Sequence, residues 1–146
     1  MAEYVYDETI TVQAPPDLVW SVLSDVQRWP GWLPTVRSVS LLGPAPLQVG
    51  SRVRITQPRL APMTWTVDRL VPGQSFSWTV RSPGMHGRAD HRVEPTGDGC
   101  RVALQIVQAG RLAGVARLLY GGLTRRYMRV EAEELKRHTE RLAFEV

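Results

Sequence analysis

The chain opens with strict alternation. Tyr4, Tyr6, Glu8, Ile10 and Val12 fall on one side of an extended backbone, and Asp7, Thr9, Thr11 and Gln13 on the other. A period of two over residues 4–13 predicts a half-buried strand. Ala14-Pro15-Pro16-Asp17 then stops it, and a proline at the first helical position with an acid in the first turn favours a helix start. Leu18, Val19, Val22, Leu23 and Val26 follow at helical spacing. Trp29-Pro30-Gly31-Trp32-Leu33-Pro34 cuts this helix short and predicts a second helical turn flanked by prolines.

From residue 36 to residue 109 the pattern is that of an antiparallel meander. Runs at 36–42, 51–57, 63–70, 75–81, 87–94 and 100–108 are separated by Gly- and Pro-containing breaks about ten residues apart. The period then changes. Over residues 112–143, Leu119, Leu123, Tyr127 and Val130 make one apolar stripe, and Met128, Ala132, Leu135, Thr139 and Leu142 an adjacent one. Glu131, Glu133, Glu134, Lys136, Arg137, Glu140 and Arg141 make a charged face. Gly110, Gly114, Gly121 and Gly122 weaken the first part, so the helix should be firmest from Leu123 onward, with kinked or mobile first turns. Many strands followed by one long helix indicate an α+β fold, read as a single domain over residues 1–146.

A twisted sheet with one apolar face must cover it, and only the C-terminal helix is long enough. Over 87–94, Arg88, Asp90, Arg92 and Glu94 must see water, which turns Gly87, Ala89, His91 and Val93 inward. The same logic turns Val102, Leu104, Ile106 and Gln108 inward over 100–108. A curved sheet with small inner side chains and few inner polar groups describes a ligand cavity.

Particular stretches carry a family resemblance across about residues 3–142. They are Ile10-Thr11-Val12-Gln13-Ala14-Pro15, Val19-Trp20, Leu23-Ser24-Asp25, the Trp29–Val36 segment, Leu70-Val71-Pro72-Gly73 with Phe76-Ser77-Trp78, and Glu134-Leu135-Lys136. The chain resembles the polyketide cyclase/dehydrase, START and birch-pollen-allergen-like superfamily, above all its small bacterial members. The resemblance implies the helix-grip fold: a curved antiparallel sheet of about seven strands around a long C-terminal helix, with two short helices after the first strand. These motifs specify fold more than function, since the superfamily hosts lipid carriers, receptors, aromatase/cyclases and binders.

Within that frame, Trp65 and Trp78 on neighbouring strands are either walls that stack on an aromatic ligand or ordinary core. Trp20, Trp29 and Trp32 read as packing of the helical plug, with Trp32 able to edge the cavity mouth. His91 either orients a ligand carbonyl, acts as acid or base near neutral pH, or is a structural histidine. Asp90 faces the other way, so the two make no dyad. Arg59 between prolines is a gate, an anion contact or a solvated loop residue. Gln108, Tyr120 and Tyr127 are candidate hydrogen-bond donors, and Met63, Ala89 and Leu123 candidate lining residues.

Composition narrows the function. A net charge of +4 comes from 17 arginines and Lys136 scattered along the chain, with a single cluster at Arg125-Arg126…Arg129, so nucleic-acid binding is not expected. One cysteine, Cys100, allows no internal disulfide and no thiol metal site. The three histidines lie on different elements, and no metal or other cofactor is expected. No stretch reads as a signal peptide or integral membrane segment, and the expected location is cytoplasmic. Three functions remain. The first is binding of a hydrophobic small molecule such as a polyketide, lipid, isoprenoid or aromatic metabolite. The second is a cyclase, dehydratase or aromatase using His91 with Gln108, Tyr120 or Arg59, ranked lower because no second inward ionisable group is visible. The third, implied by the resemblance alone, is an interaction module of toxin–antitoxin or quinone-handling type.

Overall fold

The computed structural model describes residues 3–145. Seven strands form one antiparallel sheet: β1 (Glu3–Val12), β2 (Ser38–Leu42), β3 (Arg52–Thr56), β4 (Met63–Val71), β5 (Ser75–Ser82), β6 (Met85–Thr96) and β7 (Gly99–Ala109). Their spatial order is β1-β7-β6-β5-β4-β3-β2, so every neighbour except β1–β7 is also a neighbour in sequence. Helix α1 (Pro16–Ser24) and a 3-10 helix (Val26–Gly31) follow β1, and helix α2 (Ala113–Phe144) closes the fold.

The local chemistry accounts for each junction. Pro15 and Pro16 leave β1 in extended geometry and enter α1 with a proline in its first turn. Val19 and Leu23, one turn apart, are the buried face of α1. The indole Nε1 of Trp29 donates to the Leu23 carbonyl at 3.0 Å, which ties the 3-10 helix to the end of α1 and carries Trp29 into the core. At the β7–α2 corner the chain turns at Gly110, whose φ of 118° suits glycine; a Cβ there would also meet the Gly84 carbonyl oxygen at 2.5 Å. A register shift between Val67 and Arg69 bends the β4–β5 pair.

The core lies between the concave sheet face and α2. Val93 and His91 of β6, Val102 and Leu104 of β7, Phe76 and Trp78 of β5, and Met128, Ala132 and Leu135 of α2 are all buried. The alternation expected for β6 and β7 is the one observed, with Gly87, Ala89, His91 and Val93 inside.

The expected weak start of the C-terminal helix is not what forms. α2 runs unbroken for 32 residues, about 48 Å at 1.5 Å per residue. The glycines admit the sheet rather than break the helix. A Cβ on Gly114 would stand 3.0 Å from the Tyr4 hydroxyl, and one on Gly121 would stand 3.2 Å from that of Tyr6. The guanidinium groups of Arg117 and Arg125 lie over the Tyr4 and Tyr6 rings at 4.9 and 5.4 Å. The apolar stripe through Leu119 and Leu123 also differs from expectation: Leu119 is exposed and Leu123 half-buried, while Met128, Ala132, Leu135 and Thr139 form the buried line.

Candidate functional site

A cavity of about 140 Å³ lies between the sheet and the middle of α2. An apolar cavity of this size holds one benzene-sized ring. Its floor is the inner face of β4 to β7, with Met63, Trp65, Trp78, Ala89, Leu104 and Ile106. Trp29 closes one side, and Leu60 and Met85 come from the β3–β4 loop and the start of β6. The roof is one face of α2. Thr124, Tyr127, Met128 and Glu131 stand at i, i+3, i+4 and i+7, the spacing that puts four side chains on one helical stripe.

His91 occupies the most constrained position. It pairs with Phe76 across the β5–β6 ladder, and the two rings stack at 4.2 Å with 12° between their planes. Trp78 meets it edge-on at 5.3 Å, and Trp29 lies 6.0 Å away. The imidazole is 4% exposed. This aromatic enclosure disfavours the charged ring: burial lowers its pKa from 6.5 to about 4, with the Phe76 main chain and the Asp90 charge pulling weakly the other way.

Glu131 faces it from the helix. Its Oε2 lies 3.7 Å from His91 Nε2, beyond hydrogen-bond reach, and neither Oε2 nor His91 Nδ1 has a hydrogen-bond partner. Burial raises the Glu131 pKa from 4.5 to about 7. Two ionisable groups are therefore held close together against an apolar cavity, each biased by desolvation toward its neutral form. A buried pair with displaced pKa values in a cleft is suited to proton transfer.

The remaining polar groups are sparse. Gln57, Gln108 and Thr124 border the cavity, and the Tyr127 hydroxyl donates to the Pro58 carbonyl, which holds the β3–β4 loop against α2. Asp90 works on the outer face, where it accepts from Ser77 and pairs with Arg88.

Of the residues singled out in the sequence, the structure brings Met63, Trp65, Trp78, Ala89, His91, Gln108 and Tyr127 to this cavity. Trp32, Arg59, Tyr120 and Leu123 lie outside its lining. Trp32 stacks on His138 at 6.0 Å. Arg59 is exposed, with a φ of 68°, and its neighbour Leu60 is the loop residue that turns in. Leu123 is half-buried and falls off the Thr124–Glu131 stripe, whereas Tyr120 continues that stripe one turn earlier, beyond the cavity, and is exposed. Sequence reasoning assigned Glu131 to the charged face of the helix and Trp29 to the plug alone. Extending a stripe from Tyr127 and Met128 by one turn reaches Glu131, the signal that finds it.

Known proteins share this fold. The fold matches the Zhui aromatase/cyclase of Streptomyces sp. R1128 with a TM-score of 0.79 at 23% identity, over 96% of this chain and 95% of that one. It matches a point mutant of Thalictrum flavum norcoclaurine synthase in complex with a transition-state analogue with a TM-score of 0.73 at 15% identity, over 94% of each chain. An uncharacterized protein of Mycobacterium bovis is 27% identical over 122 residues, 80% of this chain and 71% of that protein. The match to one family model extends over residues 5–140, and with the helix-grip architecture above it the chain belongs to the polyketide cyclase/dehydrase and lipid transport family.

Proposed function

We propose that the cavity binds a compact aromatic or polyketide-derived compound and that His91 and Glu131 move protons on it, as a cyclase or dehydratase requires. The observation that carries this reading is the pairing of two inward ionisable groups, His91 of the sheet and Glu131 of the helix, 3.7 Å apart in a largely apolar lining. The indoles of Trp65 and Trp78, 5.8 Å apart and tilted 33° to one another, offer aromatic faces to a planar ligand.

In such a dehydration, neutral His91 accepts the proton from the carbon next to a ligand carbonyl through Nε2. The protonated Glu131 carboxyl gives its proton to the departing hydroxyl, which leaves as water. The pair is then imidazolium and carboxylate, and return of the proton across the gap restores both neutral groups. The base is competent above a pH of about 4 and the acid below about 7, so the rate should be bell-shaped between those limits.

Deuterium exchange next to the carbonyl of cyclohexanone, a single six-membered ring matched to the cavity, followed by NMR in D2O, isolates the proton-abstraction half of this chemistry. Wild-type protein should accelerate exchange, and His91→Ala should remove the acceleration while quenching of tryptophan fluorescence by the ketone persists. Binding without accelerated exchange would leave the second reading, a carrier of small hydrophobic compounds, which the aromatic lining supports by itself.

A further inference from the structure

Five large apolar side chains are exposed within nine residues at the start of α2: Leu112, Val115, Leu118, Leu119 and Tyr120. Leu118 and Leu119 are 85% and 67% exposed. Val115, Leu118, Leu119 and Gly122 continue at helical spacing into Arg126 and Arg129 on the outward face, opposite the buried line through Gly121 and Met128. The helix is thus amphipathic twice over in this half, apolar toward the sheet and apolar-then-basic toward solvent.

The charge around this ridge is predominantly positive, although the exposed Glu3 of β1, paired with Ala109, lies at the same end. The β3–β4 loop (57–62), the β5–β6 turn (80–86) and residues 110–130 hold seven arginines and no aspartate or glutamate. All seven are exposed, and none forms an ion pair among the described residues. These segments belong to one end of the molecule: the Leu112 amide donates to the Gly84 carbonyl at 2.8 Å, and Tyr127 reaches Pro58. Leu60 and Met85 at this end also line the cavity.

We infer that this end docks on an anionic lipid bilayer, with the first turns of α2 lying in the headgroup region. Exposed leucines on a helix flanked by arginines combine apolar insertion with attraction to acidic headgroups. No helix among the described residues is long and apolar enough to cross a membrane, so the contact is peripheral. A second copy meeting this face symmetrically would set seven arginines against seven, a repulsion that Glu3 offsets only in small part. The apolar contacts are mainly leucine and valine, residues under-represented among the side chains that dominate protein–protein binding. Entry of the cavity ligand from the bilayer rests on the proposed function; the docking does not.

Co-sedimentation of the whole protein with vesicles tests it. At 0.1 M salt, phosphatidylcholine:phosphatidylglycerol vesicles (1:1) should retain the protein at least about tenfold better than phosphatidylcholine alone, and 0.5 M salt should erase most of the difference. R126Q/R129Q should weaken retention by about fivefold per arginine, and L118D/L119D by at least about tenfold. All four positions are exposed on the helix surface, so circular dichroism melting should match wild type. Equal partition to both vesicle types, or retention unchanged in L118D/L119D, overturns the inference. So does binding to polyglutamate as tight as to the acidic vesicles and indifferent to L118D/L119D, which marks an acidic protein partner. A dimer in sedimentation velocity that L118D/L119D dissociates, with no vesicle binding, assigns the face to a second copy instead. Loss of vesicle binding with ligand quenching intact separates this failure from failure of the cavity reading.

Discussion

His91 and Glu131 each resist ionisation for the same reason, burial, yet they act on stability in opposite directions as pH changes. The unfolded histidine takes a proton below about 6.5 and the folded one only below about 4, so its contribution is lost as pH falls through that window. The folded Glu131 keeps its proton up to about 7, whereas the unfolded one releases it near 4.5, so its contribution is lost as pH rises through that window. Between about 4.5 and 6.5 the two slopes oppose one another, and the wild-type pair adds little net pH dependence. Removing one partner should expose the other. Chemical denaturation of Glu131→Gln across pH 4 to 7 should show stability rising with pH relative to wild type, by on the order of 3 kcal/mol at most. His91→Asn should show it falling over the same range. Parallel profiles for the two variants would mean that the groups do not titrate as a buried pair. At this scale the sequence is half legible. Alternation on β6 turned His91 inward because four charged neighbours needed water. Glu131 was hidden because its own neighbours, Glu133 and Glu134, are surface acids, and a helix does not declare which carboxylate it buries.

The helix α2 is where local propensity and tertiary fit part company. Three glycines in its first third, Gly114, Gly121 and Gly122, argue for fraying, since each costs about 1 kcal/mol relative to alanine in a helix interior. Two of them have a packing reason visible only once β1 is in place, because the tyrosines that fill the glycine notches lie more than a hundred residues earlier in the chain. The glycines should therefore respond differently to the same change. Nothing lies within 4 Å of a Cβ on Gly122, so Gly122→Ala should raise stability by about 0.5–1 kcal/mol. A Cβ on buried Gly121 meets the Tyr6 hydroxyl at 3.2 Å, and Tyr6 is itself buried and cannot swing into water. Gly121→Ala should gain nothing or lose stability. Urea melts of the two variants decide the point; equal stabilisation would show that the helix does not rest on Tyr6. The strands were more legible than this helix, because alternation and turn residues are local signals while the helix–sheet approach is not.

For the whole molecule, the cavity means that this chain stops short of the most stable packing its fold allows. Ala89 sits in the middle of the floor, opposite Trp78 on β5 and Ile106 on β7, with α2 above. A larger side chain there points into the space of about 140 Å³ rather than into a neighbour. Ala89→Leu adds three carbons, each worth about 0.8 kcal/mol when buried, less the strain of fitting a fixed rotamer between two indoles. The net expectation is a gain of about 1–2 kcal/mol, a melting temperature raised by roughly 3 °C or more. The same variant should lose tryptophan quenching by cyclohexanone and any ligand-induced rise in melting temperature, since a ligand stabilises only the state it binds. Stability and binding should then move in opposite directions with one substitution, the trade expected where an unfilled space serves a ligand. If Ala89→Leu instead destabilises the fold, the floor is already close-packed. If it stabilises while binding persists, the ligand occupies another surface, and the roof formed by Thr124, Tyr127, Met128 and Glu131 has no ligand beneath it.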